Sequence, residues 1–130
     1  MSIAGYNNKI TSIAFIDPAA TLKVCAFVAP AGGAYIHNVY SSCSAAIASH
    51  ATNTVTCSVL DGGAAGAGTT SMGSFGGADT AHGANAANAM TLTQNKLDEG
   101  DHLLVQYAEG GTVAPGTVSF IIEWSQGGDL

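Results

Sequence analysis

GTVSFIIEW, residues 116–124, sets Val118, Phe120, Ile122 and Trp124 at every second position. A period of two belongs to a β-strand, whose successive side chains point to opposite faces, so these four groups share one buried side of a sheet. The preceding stretch, KLDEGDHLLVQYAEGG at 96–111, has the same pattern in Leu103, Val105 and Tyr107, with His102, Leu104 and Gln106 on the other face. Further upstream it recurs in Ile13 and Phe15, in Leu22, Val24, Ala26 and Val28, and in Val55, Cys57 and Val59. Between the runs lie DPAA at 17–20, APAGG at 29–33, DGG at 61–63, DEGD at 98–101 and EGGTVAPG at 109–116, all of them turn chemistry. Strands are expected near 9–16, 21–29, 33–47, 53–60, 88–93, 102–108 and 116–125. YSSCSAAIASHA at 40–51 has no apolar stripe at helical spacing, and its serines favour a strand or the end of one. The expected fold is all-β, an antiparallel β-sandwich.

Residues 61–88 interrupt this regularity. They hold eight of the 17 glycines and show no period, so they are expected to form one long glycine-rich loop. Its small residues can lie flat against a neighbour, and Met72 and Phe75 are the two side chains in it large enough to anchor there. Residues 1–8, MSIAGYNN, precede the first strand and read as an N-terminal arm in which Ile3 and Tyr6 offer contact area. Residues 9–130 then form a single sandwich domain, and Ile3, Tyr6, Met72 and Phe75 are the candidate contact residues.

Composition narrows the function. Charged residues make up 9% of the 130 residues and apolar ones 47%, against roughly 25% charged in ordinary soluble domains. A surface so poor in charge calls for cover by other subunits, which favours a homo-oligomer, with a homotrimer as the expected form. The cations are Lys9, Lys23 and Lys96, there is no arginine, and the net charge is −6. Nucleic-acid binding relies on Lys and Arg to neutralise phosphates, so it is not expected. No stretch has the ~18 apolar residues of a membrane span. The opening MSIAGYNNKI lacks the basic and apolar regions of a signal peptide, so synthesis in a cytoplasm is expected.

Chemistry finds little support. Cys25, Cys43 and Cys57 show no CxxC spacing and read as buried free thiols. The glycine-rich stretch has no lysine for a phosphate loop. His37, His50, His82 and His102 are scattered, without a pair at i, i+2 or i, i+4. Met72-Gly73-Ser74-Phe75-Gly76 is the best near match to a nucleophile elbow but reads as loop, without a flanking strand and helix. The acidic run Asp98, Glu99, Asp101 departs from calcium-loop spacing and reads as a turn in which Gly100 takes positive φ. No enzyme activity, metal or cofactor is expected.

A resemblance points the same way. LDEGDHLLVQY followed by GTVAPGTVSFIIEW resembles the closing strand pair of viral and phage jelly-roll sandwiches, a closure shared by the trimeric tumour-necrosis-factor and complement-C1q-like folds. AYIHNVY and NTVTCSVLDGG are similar to strands of small decoration (cement) proteins and of head or tail fibre domains of tailed bacteriophages. Cupins share the jelly roll but need an HxH metal motif, and here His37 and His102 each stand alone. The resemblance implies a jelly-roll-like virion structural protein on the outer capsid surface, with the major capsid protein as partner. The alternative it implies is a fibre or knob domain binding a host receptor or glycan, for which Tyr35, Tyr40, Tyr107 and Trp124 would supply an aromatic platform.

Overall fold

The computed structural model describes residues 8–127. Ten strands and no helix are found among them: β1 (Asn8–Phe15), β2 (Leu22–Val28), β3 (Ala34–Cys43), β4 (Thr54–Asp61), β5 (Thr70–Gly76), β6 (Asn88–Ala89), β7 (Thr91–Leu92), β8 (Lys96–Leu97), β9 (His102–Gly110) and β10 (Val118–Gln126). One sheet has the order β1-β10-β3-β6, with β8 also paired to β3, and the other runs β2-β9-β4-β5-β7. All these strand pairs are antiparallel. Successive strands from β1 to β4 alternate between the sheets, and β9 and β10 return to the middle of each, which is jelly-roll winding.

The alternation read from sequence places the core. Leu103, Val105 and Tyr107 of β9, Val55, Cys57 and Val59 of β4, and Val118, Phe120 and Ile122 of β10 are all fully buried. Residues opposite each other in antiparallel strands share a face, so Val24, Val105, Val59, Gly73 and Leu92 form one inward row across five strands. Phe120 of the opposing sheet belongs to the same core and lies edge-on to Phe15 at 5.7 Å. Phe27 stacks on Trp124 at 4.2 Å and ties the two sheets together. The indole Nε1 of Trp124 then donates to Thr11 Oγ1 at 3.0 Å.

Two expectations are corrected. Within 61–88 the chain is not one loop, because Thr70–Gly76 forms β5 and pairs with β4 over most of its length. Glycine is used there for close approach: a Cβ on Gly73 would lie 2.8 Å from the Thr91 carbonyl, and Gly76 sits at φ +117 against the Val55 carbonyl. The expected strand at 88–93 is two short strands in different sheets, β6 on β3 and β7 on β5. Met90 between them is buried and its N–H donates to the Val39 carbonyl at 2.9 Å, so the chain crosses the end of the core at that point.

Candidate functional site

The acidic run is a turn that feeds β9. Asp101 N–H donates to the Asp98 carbonyl at 3.0 Å, and Gly100 has φ 86 with open space where a Cβ would go. Gly100 N–H donates to the Ala29 carbonyl at 3.0 Å, and Glu99 Oε1 accepts from the Gly32 N–H at 3.1 Å, stitching this turn to the one between β2 and β3. Among the described residues no group of three or more His, Cys, Asp or Glu side chains could hold a metal ion.

Each histidine has a structural task. His37 Nε2 meets Ser125 Oγ at 2.8 Å. His50 Nδ1 accepts the Thr52 and Asn53 N–H groups at 3.0 and 2.9 Å, capping its own turn. His102 Nδ1 donates to the Gly63 carbonyl at 3.1 Å. His82 is buried, its Nε2 donates to the Val55 carbonyl at 3.0 Å, and Phe75 meets its ring edge-on at 5.1 Å. Burial lowers the His82 pKa from its ordinary value and keeps the ring neutral, although the Val55 bond works the other way.

The thiol nearest His82, Cys43 Sγ at 4.0 Å from Nδ1, is itself pushed up by burial. Cys57 is pushed up to about 12, by burial and then by Cys43. Tyr107 is raised as well, by burial first and then by Glu109. Thiols held protonated inside a core are poor nucleophiles. This polar group belongs to the packing between the sheets.

The broad outer faces are the features that fit a function. On the five-stranded sheet of β2, Lys23, Gln106, Ser58, Ser74 and Thr91 pair in register and form one outward lane. On the other sheet the outward rows are Ser12, Ile121, Tyr40 and Ala89, then Ala14, Ser119 and Ser42, then Ile10, Glu123 and Asn38. The one charge in those three rows, Glu123, accepts from Asn38 Nδ2 at 2.9 Å. Hydroxyl and other small side chains predominate in these rows, and their charges are Lys23 on one face and Glu123 on the other. Covering them strands few charges.

Of the four residues expected to make contacts, the two that are described lie against the core of their own chain. Ile3 and Tyr6 lie outside the described residues. Met72 is fully buried in the core of its own chain, since the bulge between Val59 and Leu60 turns it inward, and Phe75 is half-buried against that core. Of the four aromatic groups proposed for a platform, Tyr107 and Trp124 are buried, while Tyr35 is exposed under Lys96, whose Nζ is 5.9 Å from the ring. Leu22, Val24 and Val28, read from their alternation as a buried face, are exposed at the edge strand β2, and the exposed Ile10, Ile16 and Ile121 were not singled out by sequence reading. The run Phe120-Ile121-Ile122 held a signal, because three consecutive apolar residues in a strand must put the middle one on the opposite face.

No protein-family model and no curated protein sequence matches the chain. A solved structure does. The chain is similar in fold to a chain of the "Cyanophage Pam1 capsid asymmetric unit", with a TM-score of 0.53 and 19% identity, over 97% of this chain and 91% of that one.

Proposed function

We propose that the chain is a non-enzymatic structural protein of a virion, specifically a decoration or cement protein that sits on the outside of a phage head and contacts the major capsid protein. Its action is added buried area. Each contact of about 1,200–2,000 Å² is enough for specific attachment, and anything that binds the assembled shell more tightly than its parts stabilises the shell by mass action. The observation that carries this reading is the similarity in fold, along nearly the whole of both chains, to a chain of the Pam1 capsid asymmetric unit. Two physical features support it. The outward rows of the two sheets carry few charges, Lys23 and Glu123, and the net charge of −6 suits a surface turned away from packaged nucleic acid. Ile3 and Tyr6 of the N-terminal arm are proposed to add contacts to the shell.

The test is co-sedimentation of the purified protein with heads that lack it. Binding at a fixed stoichiometry, with a rise in the temperature at which the shells open, is expected. Deletion of residues 2–7 should weaken that binding while leaving the melting temperature of the free protein unchanged. Failure to bind heads, together with saturable binding to host cells or surface glycans, would favour the fibre or knob reading instead.

A further inference from the structure

Five of the described strands border the sandwich, and they are finished differently. β6, β7 and β8 are two residues each, too short to template another strand. β2 is longer but has a bulge between Cys25 and Phe27, which discourages pairing. β1 carries one lysine near its start, as β2 does, but has no bulge. Its eight residues run in unbroken register against β10 from Asn8↔Ser125 to Phe15↔Val118, without proline or bulge. Its one charge, Lys9, sits at its start with Nζ 5.8 Å from the Trp124 ring. On its outward side Ile10 is 69% exposed, and Ile16, just past its end, is 80% exposed.

The geometry points to a second copy of this chain as the occupant: β1 pairs antiparallel with β1 of the partner about a two-fold axis, with Ile13 opposite the partner's Ile13. A two-fold axis normal to the sheet keeps outward residues outward, which leaves few registers. With Ser12 on the axis, Ile10 would face Ala14 and Ile16 would face Asn8. With Thr11 on the axis, Ile13 would face Lys9. With Ile13 on the axis, Ile10 meets the partner's Ile16 on the outer face, twice by symmetry, and Ser12 meets the partner's Ala14. Only this register pairs the two most exposed isoleucines with each other. β-Branched pairs of this kind are favoured across antiparallel strands.

The pairing also covers the inner side of the edge. Leu22 and Val24 of β2 are opposite Tyr107 and Val105 and so face inward, yet both are exposed, since among the described residues no strand lies beyond β2. β1 and β2 touch across the sandwich, so a partner set against β1 brings its own β2 alongside them. Seven paired positions at ~3.3 Å span about 23 Å, and across two layers ~10 Å apart this gives a footprint on the order of 200–300 Å². That is below the ~800 Å² per partner of a standard interface, so the contact is reversible and concentration-dependent. The pairing closes after two copies. Charge sparsity, which suggested a homotrimer, asks only that surface be covered and does not set the number of copies.

This inference goes beyond the virion reading, and its test uses no particles, so the two fail separately. Sedimentation velocity over a concentration series is expected to show a monomer–dimer equilibrium. Ile10→Lys with Ile16→Lys should halve the mass at high concentration and leave the melting temperature near that of the parent monomer, because both side chains are exposed. A second measurement does not depend on those variants. In a Cys25→Ser background, Ile10→Cys combined with Ile16→Cys should give a covalent dimer on oxidation. Either cysteine alone should not, since copies of the same residue lie six positions apart, about 20 Å, beyond disulfide reach. A monomer at all concentrations, a trimer, or equal cross-linking by the single variants would overturn the proposal.

Discussion

At the edge of the sandwich formed by β6, β7 and β8 the chain crosses between the sheets, and Met90 and Leu97 are buried in the crossing. At the edge formed by β1 and β2 the strands are long and no described segment crosses, and Leu22, Val24 and Ile10 are exposed. The residues are of one kind at both edges, and their fates differ because burial depends on what lies beyond the last strand. A short crossing segment closes a core. A long regular strand leaves an opening that another chain can close.

The most direct way to break this comparison is to truncate leucine at each edge. Leu97→Ala removes a fully buried side chain and should cost about 2–5 kcal/mol in urea unfolding. Leu22→Ala, at a side chain 41% exposed, should cost below about 1 kcal/mol when measured at low protein concentration. Equal losses would mean that the β1–β2 edge is as well covered within one chain as the other.

Glycine substitutions sharpen the comparison at the next scale. At Gly76 a Cβ would collide with the Val55 carbonyl and lie 2.9 Å from His82 Nε2, in addition to the φ of +117, so Gly76→Ala should cost about 2 kcal/mol or more. Gly100 has φ +86 but open space around it, so Gly100→Val should cost only the conformational part, about 1 kcal/mol. Thermal melts of the two variants separate close packing in the β5 region from turn geometry.

The same contrast explains what could be read from the sequence. Strands with one buried face declare themselves by period two, as Val55, Cys57 and Val59 or Val118, Phe120 and Ile122 do, and all six are buried. The acidic turn was legible too, because Gly100 and its neighbours have the residue types that positive φ and backbone bonding require. β5 was not. TSMGSFG has apolar groups only at Met72 and Phe75, and a bulge puts both on the inner side despite their odd spacing. Its glycines, which suggested a loop, are there because β4, β7 and His82 come too close for a Cβ. The candidate surface was hidden for a related reason: alternation says which residues share a face, and only the strand order says which face has a neighbour. Leu104 and Ile121 both point outward, yet Leu104 is buried, with Gly62 lying over it, and Ile121 is exposed.

His82 provides a pH test at the closed end of the core. Burial holds its pKa below the ordinary 6.5 in the folded protein, so below pH 6.5 the unfolded chain takes up a proton that the folded chain refuses. Stability is therefore fully present above pH 6.5 and falls as pH drops below it until the folded pKa is reached, by at most about 1.4 kcal/mol per pH unit. Cys43, whose Sγ lies 4.0 Å from His82 Nδ1, stays neutral over this range because burial raises its pKa. Melting temperatures from pH 7.5 to 5 should show the decline, and His82→Gln should flatten it even if that variant is less stable throughout.

The smallest effect leaves stability untouched and reads the edges through their thiols. Cys25 is exposed on β2, whereas Cys43 and Cys57 are buried between the sheets, with Cys57 pushed up to about 12. A maleimide or disulfide reagent attacks the thiolate and needs access, so at neutral pH Cys25 should react quickly in the native protein. Cys43 and Cys57 should react only through opening of the fold, at a rate that rises with urea. Native mass spectrometry during labelling is expected to stop at one adduct per chain, mapped to Cys25, and to reach three after unfolding. A second fast adduct at Cys43 would show that the closed edge near His82 opens readily, and the difference between the two edges would then be one of degree.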